Sequence, residues 1–187
     1  MTGARGGPTA SGGPPHDADV ARIRQRLSRM SPQTKALRLA LARYADDHGT
    51  FDLSLWEEAF TSDEPRAINH VLEVTGGYEG LVNHLMEMLH TGAALVRLPA
   101  AQRGRRTPAP DLIAAVTADG CFSANHADAL TRLNRTRNRL QHNSPGVPAD
   151  EVHQRLELLL KVMPRLLSSY VAWMQRHGVQ LLPDKAA

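Results

Sequence analysis

The residues best suited to chemistry lie in the stretch HADALTRLNRTRNRLQH, where helical spacing produces an apolar stripe that one arginine interrupts. The stripe comprises Ala127, Leu130, Leu133, position 137 and Leu140. Position 137 is arginine, and a guanidinium there is costly unless it is paired, reaches solvent, or faces a ligand or partner. His142 could accept a proton near neutral pH, and Asn138 lies four residues before it on the same face. Although their five-residue offset is unfavourable in an ideal helix, we expect the helix end at His142 to let its imidazole approach Arg137.

The run Arg137-Asn138-Arg139-Leu140-Gln141-His142 resembles the Arg-Asn-three residues-His motif of the HEPN superfamily, many of whose members are ribonuclease toxins. The spacing of arginine and histidine alone carries little information, because Arg43 and His48 share it. The asparagine and the position at a helix end make the match more specific. The resemblance covers about residues 65 to 176. It implies a helical bundle that forms a homodimer, with Arg137 and His142 of both chains lining one composite cleft.

The resemblance also implies a reaction, in which a ribose 2′-hydroxyl attacks the adjacent phosphate of RNA without a metal ion or other cofactor. His142 would accept the hydroxyl proton. Arg137 would bind two phosphoryl oxygens through its guanidinium, and Asn138 would orient the imidazole or donate to phosphate. The implied products are 2′,3′-cyclic phosphate and 5′-hydroxyl ends, and the implied substrate is a single-stranded or tRNA-like RNA.

Other arginines could contact the RNA backbone without reading its sequence. They are Arg132, Arg135 and Arg139 of the same helix and Arg103, Arg105 and Arg106 of a predicted loop. Arg135 and Arg139 are expected on the outer face of their helix. A solvated charged surface is the more frequent explanation of such arginines.

Regulation is the point at which the sequence departs from the HEPN pattern. One group of HEPN toxins carries a tyrosine two residues after the histidine, and its nucleotidyltransferase antitoxin modifies that tyrosine. The corresponding residue here is Ser144. The alternatives to neutralisation by tyrosine modification are therefore a different cognate antitoxin or modification of Ser144.

Length and composition are those of one soluble domain. Of the 187 residues, 42% are hydrophobic, which is enough for one core. The formal net charge of +3 permits binding to polyanions without requiring it. The single cysteine, Cys121, excludes an internal disulfide and a cysteine-based zinc site. Because no apolar run approaches the roughly 18 residues of a membrane helix, we expect a cytoplasmic protein.

Hydrophobic periodicity predicts an all-α fold, an antiparallel helical bundle with a HEPN-like core of four or five helices. The strongest pattern follows TSDEP and runs to Leu95 as one long helix that continues through Gly76 and Gly77. A loop over 99–110, a short helix over 111–120 and two longer helices, from about Ser123 to His142 and from Pro148 to Gly178, follow it.

The chain before this core is predicted to form two helices, the second beginning at Ser31 as N-cap with Pro32 at its first position. The expected organisation is a disordered tail over 1–17, an N-terminal helical extension over 18–62, the HEPN-like bundle over 63–178 and a C-terminal tail over 179–187. The extension could bind a partner, enlarge the dimer or cover the bundle.

Three other functions compete with this interpretation. A carboxylate-bridged di-metal bundle requires two Glu-x-x-His pairs, and the chain offers one, Glu87 with His90. A helix-turn-helix within residues 18 to 60 would lack the tight glycine turn of DNA-binding proteins and would be partly acidic. The serious alternative is a non-catalytic HEPN-like module that binds RNA, a nucleotide or a partner protein. Such a module requires Arg137 but tolerates loss of His142.

Overall fold

The computed structural model of the protein describes residues 15–102, 107–143 and 146–182. Within these ranges the secondary structure is helical and contains no β-strand, which confirms the all-α prediction. The six α-helices are α1 (Pro15–Leu41), α2 (Leu53–Thr61), α3 (Pro65–Leu95), α4 (Ala109–Ala118), α5 (Ala124–Asn143) and α6 (Ala149–Arg176). Short 3-10 turns at Ala42–Tyr44 and Pro99–Gln102 follow α1 and α3.

The long helix α3 is the centre of the bundle and contacts each of the other five α-helices. It begins with Pro65 in its first turn, where the missing N–H would have no partner in any case. Its apolar stripe is buried from Val74 to Ala93, and the helix passes through Gly76 and Gly77 without a break. The predicted single helix is therefore confirmed, and α3 provides a rigid support for side chains between α1 and α5.

The prediction of two helices before residue 42 is wrong, because α1 continues through Pro32. A proline inside a helix costs about 3 kcal/mol. However, Ile23, Met30 and Leu37, spaced seven residues apart, are all buried on the face that packs against α3. Full burial of each such side chain contributes about 1.5 to 3 kcal/mol, so a continuous helix is favoured over a break at Ser31.

The segments before and after the predicted bundle belong to the same hydrophobic core. Trp56 of α2 is fully buried, and its indole N–H donates to the carbonyl of Ala149 at 2.8 Å. After α6, Val179 and Leu181 are buried, and Arg24 of α1 donates to the Leu181 carbonyl at 3.2 Å. The predicted extension therefore covers the bundle, and the predicted C-terminal tail is packed at its start. Of the tail predicted over 1–17, residues 1–14 lie outside the described ranges, and α1 begins at Pro15.

A glycine turn sets the start of α5. Gly120 has a φ of 79°, a conformation that favours glycine. The N–H of Cys121 donates to the Val116 carbonyl at 2.8 Å, and that of Gly120 donates to the Thr117 carbonyl at 2.9 Å. This pair of bonds is the Schellman motif that ends a helix. It reverses the chain after α4, so that α5 packs against both α4 and α3.

Candidate functional site

Arg137 lies on the buried face of α5, as its position on the apolar stripe predicts. Leu130, Leu133 and Leu140 of that stripe are buried, and Arg137 is half-buried. Its guanidinium extends to α3, where Nη2 donates to the side-chain oxygen of Asn83. Nη1 donates to Oδ1 of Asn138 at 2.7 Å. Neutral amides from two helices therefore hold the guanidinium in place.

The charge of Arg137 is not compensated by a carboxylate among the described residues, because none of their ion pairs includes it. Its Nε is also buried without a hydrogen-bond partner in that part of the chain. A half-buried guanidinium held only by amides retains its attraction for an anion. Arg137 is thus arranged as a phosphate-binding or carboxylate-binding group.

A cleft of about 230 Å³ lies beside this guanidinium, between α3, α5 and the start of α4. Its lining residues are Met86, His90, Thr107, Pro108, Ala109, Asn134, Arg137 and Asn138. None of these is acidic, so the only formal charge that is always present in the lining is that of Arg137. The cleft therefore suits a small anionic group or a group attached to one.

Sequence reasoning did not assign Asn83, His90 and Asn134 to this site, and it considered His90 only as half of a metal pair. Asn134 precedes Arg137 by three residues and Asn138 by four, so their shared face could have been found from helical spacing. Asn83 and His90 are seven residues apart on α3, which also places them on one face. The sequence contains no signal for the register of α3 against α5, which brings the two faces together.

His142 is not among the residues that line the cleft. It is exposed in the last turn of α5, which ends one residue later at Asn143. Five residues of α-helix rotate a side chain by about 140° and advance it by about 7.5 Å. The structure therefore does not bring His142 and Arg137 of one chain together, and the histidine of the cleft is His90.

The other arginines proposed to bind RNA differ in their surroundings. Arg135 is exposed, and Arg132 is exposed and paired with Asp128 at 2.6 Å. The side chain of Arg139 is 39% exposed, and its Nη1 donates to both carboxylate oxygens of Glu151 in α6, at 2.7 and 2.6 Å. Arg139 thus joins α5 to α6. Arg103, Arg105, Arg106 and the proposed regulatory Ser144 lie outside the described residues.

Glu87 and His90, the candidate metal pair, have different surroundings. Glu87 forms an ion pair with Arg26 of α1, whereas His90 lines the cleft next to α5. In residues 15–102, 107–143 and 146–182 no group of three or more potential ligands could hold a metal ion. In the same ranges no helix is long and apolar enough to cross a membrane.

Comparisons with known proteins assign no family to this chain, so its function is inferred from the residues of the candidate site. Neither protein-family profiles, nor curated protein sequences, nor solved structures gave a match to this chain.

Proposed function

We propose that this protein is a metal-independent endoribonuclease of the HEPN type that acts as a homodimer in the cytoplasm. We further propose that it is the toxin of a toxin–antitoxin or phage-defence system, neutralised by a cognate antitoxin. The observation that supports this most is the guanidinium of Arg137. It is held by Asn83 and Asn138 at an open cleft without a carboxylate partner among the described residues.

The proposed reaction follows from the chemistry of these groups. A ribose 2′-hydroxyl attacks the adjacent phosphorus, the O2′–P bond forms, and the P–O5′ bond breaks. His142 takes the proton of the 2′-hydroxyl, and the imidazolium returns a proton to the departing 5′-oxygen. Arg137 stabilises the charge on the non-bridging oxygens, and loss of such a donor typically raises the barrier by about 3 kcal/mol. Asn138, which accepts from Arg137 at 2.7 Å, positions the guanidinium.

The dimer is part of the proposal because Arg137 and His142 of one chain diverge around α5. His142 is exposed, whereas Arg137 faces α3. A twofold axis repeats every contact between two identical chains. If His142 of one chain reaches the cleft of the other, His142 of the second chain therefore reaches the cleft of the first. The dimer would then have two clefts in place of the single composite cleft that the resemblance implies, and each would contain Arg137 of one chain and His142 of the other.

Expression of the wild-type protein beside His142→Ala tests this function. The matched control is His126→Ala, which removes a half-buried histidine from the first turn of the same helix. We expect the wild type and the control to arrest growth and to cleave total RNA in EDTA, and His142→Ala to do neither while its circular dichroism stays helical. Cleavage that survives in His142→Ala, or RNA that stays intact with all three proteins, would contradict the proposal.

A second candidate function is a non-catalytic module that binds RNA, a nucleotide or a partner protein. The observation in its favour is that His142 is not among the residues that line the cleft beside Arg137. This function predicts that His142→Ala retains RNA affinity and that Arg137→Met loses it. It also predicts that wild-type protein leaves RNA intact.

A further inference from the structure

We propose that the cleft beside Arg137 binds one nucleobase of a single-stranded RNA and that Asn134 is the residue that recognises its edge. This inference rests on the proposed function, since it assigns the substrate contact next to the phosphate that Arg137 would bind. It adds a specificity-determining residue that the Arg-Asn-His motif does not contain.

The first argument is that the amide of Asn134 faces the cleft and has no hydrogen-bond partner among the described residues. The residue is 7% exposed, and no hydrogen bond joins its side chain to another described residue. Among the described residues, the two other polar residues that are buried as a whole are both bonded. Thr75 donates to the Val71 carbonyl at 2.9 Å, and Thr136 donates to Glu151 at 3.3 Å. The amide atoms of Asn134 are accessible from the open cleft, so they are free to pair with a ligand that enters it.

The second argument is the arrangement of the cleft around this amide. Asn134 and Arg137 are one helical turn apart on α5, which places their side chains next to each other. Met86 and Pro108 provide apolar walls, against which a flat ring can pack. A volume of about 230 Å³ is smaller than the usual pocket for a drug-sized ligand. The cleft therefore fits one base, with its phosphate at the guanidinium.

The third argument is the chemistry of recognition. An asparagine side chain offers one donor and one acceptor side by side, and it pairs most often with the N6 and N7 atoms of adenine. Such an edge is accessible when the base is unstacked in a single strand. The lining contains no carboxylate that would repel the attached phosphate. A single-stranded RNA supplies an accessible base edge for Asn134 and an attached phosphate for Arg137. The recognised base would lie next to the cleaved bond.

Binding measurements on full-length His142→Ala protein test the inference without requiring cleavage. The probes are the four 2′-deoxynucleoside 3′-monophosphates, with inorganic phosphate as the probe that lacks a base. Asn134→Leu removes the amide at similar volume, and Asn125→Leu is the matched control at an exposed position of the same helix. Asn134→Ser, which removes the amide and enlarges the cleft, repeats the test if the leucine variant does not fold.

We expect one nucleotide to bind at least about tenfold more tightly than phosphate, as one well-formed amide–base pair provides. Asn134→Leu should remove that advantage and leave phosphate affinity within about twofold, whereas Asn125→Leu should change neither. Equal binding of all four nucleotides and phosphate, or an advantage that survives in Asn134→Leu, would overturn the inference. If nucleotides bind as expected but the wild type does not cleave RNA, only the ribonuclease proposal fails. If the wild type cleaves RNA while the nucleotides bind no better than phosphate, only this inference fails.

Discussion

Arg137→Met should leave stability nearly unchanged, although the residue lies on the buried face of α5. The substitution removes two hydrogen bonds to Asn83 and Asn138, each worth about 1 kcal/mol at most because both amides remain accessible to water. It also removes the buried, unpartnered Nε and adds apolar contact on the stripe, which stabilises by about 1 to 3 kcal/mol. The expected net change in the free energy of unfolding is within about 1 kcal/mol of zero.

Arg139→Met, two residues along the same helix, is the matched comparison. It breaks the pair with Glu151, whose side chain is 23% exposed, and leaves that carboxylate with the hydroxyl of Thr136 as its side-chain partner. We expect a loss of about 1 to 2 kcal/mol, between the values for exposed and buried ion pairs. Urea unfolding followed by circular dichroism measures both variants. A loss above about 2 kcal/mol for Arg137→Met, with Arg139→Met neutral, would show that Arg137 is a structural residue and refute the reasoning.

Three further predictions concern residues of α3. Gly92→Ala should destabilise the protein by about 1 to 3 kcal/mol because the new Cβ would lie 2.6 Å from the Tyr170 hydroxyl. Gly76→Ala, where a Cβ meets nothing within 4 Å, should stabilise by up to about 1 kcal/mol, and thermal unfolding that ranks the two variants in the opposite order would contradict this packing. Burial, and then the charge of Arg26 at 3.0 Å, hold the pKa of His84 below its ordinary value. Stability should therefore be constant above about pH 6.5 and fall as pH drops below it, because the unfolded chain binds the proton more readily. His84→Gln should remove this part of the decline in urea titrations between about pH 7.5 and pH 5, and an unchanged decline would contradict the assignment.

The sequence was sufficient for features that depend on one helix at a time. The alternating three- and four-residue spacing of α3 requires burial along its whole length, so its extent could be predicted through Gly76 and Gly77. Pro32 was misleading because a local helix breaker was weighed without the burial of Met30 and Leu37 on either side of it. Local propensity is a weak guide where tertiary packing decides.

The candidate site shows the same limit. An arginine on an apolar stripe was recognisable from residue types, and Arg137 does differ from its neighbours. Its partner Asn83 lies 54 positions earlier, and Glu151, the partner of Arg139, lies in the next helix, α6. Contacts of this kind depend on how two helices pack, which the spacing within either helix does not determine.

The central claim is that two chains combine Arg137 and His142 in one cleft, and co-expression of two inactive variants tests it most directly. Arg137→Met and His142→Ala are each expected to be unable to cleave RNA alone. In a mixed dimer one of the two clefts would regain an intact Arg137 and His142, so random pairing should restore about one quarter of wild-type cleavage. If each variant alone is inactive and the mixture also stays inactive although mixed dimers are present, the two residues do not act across a dimer and the account is contradicted.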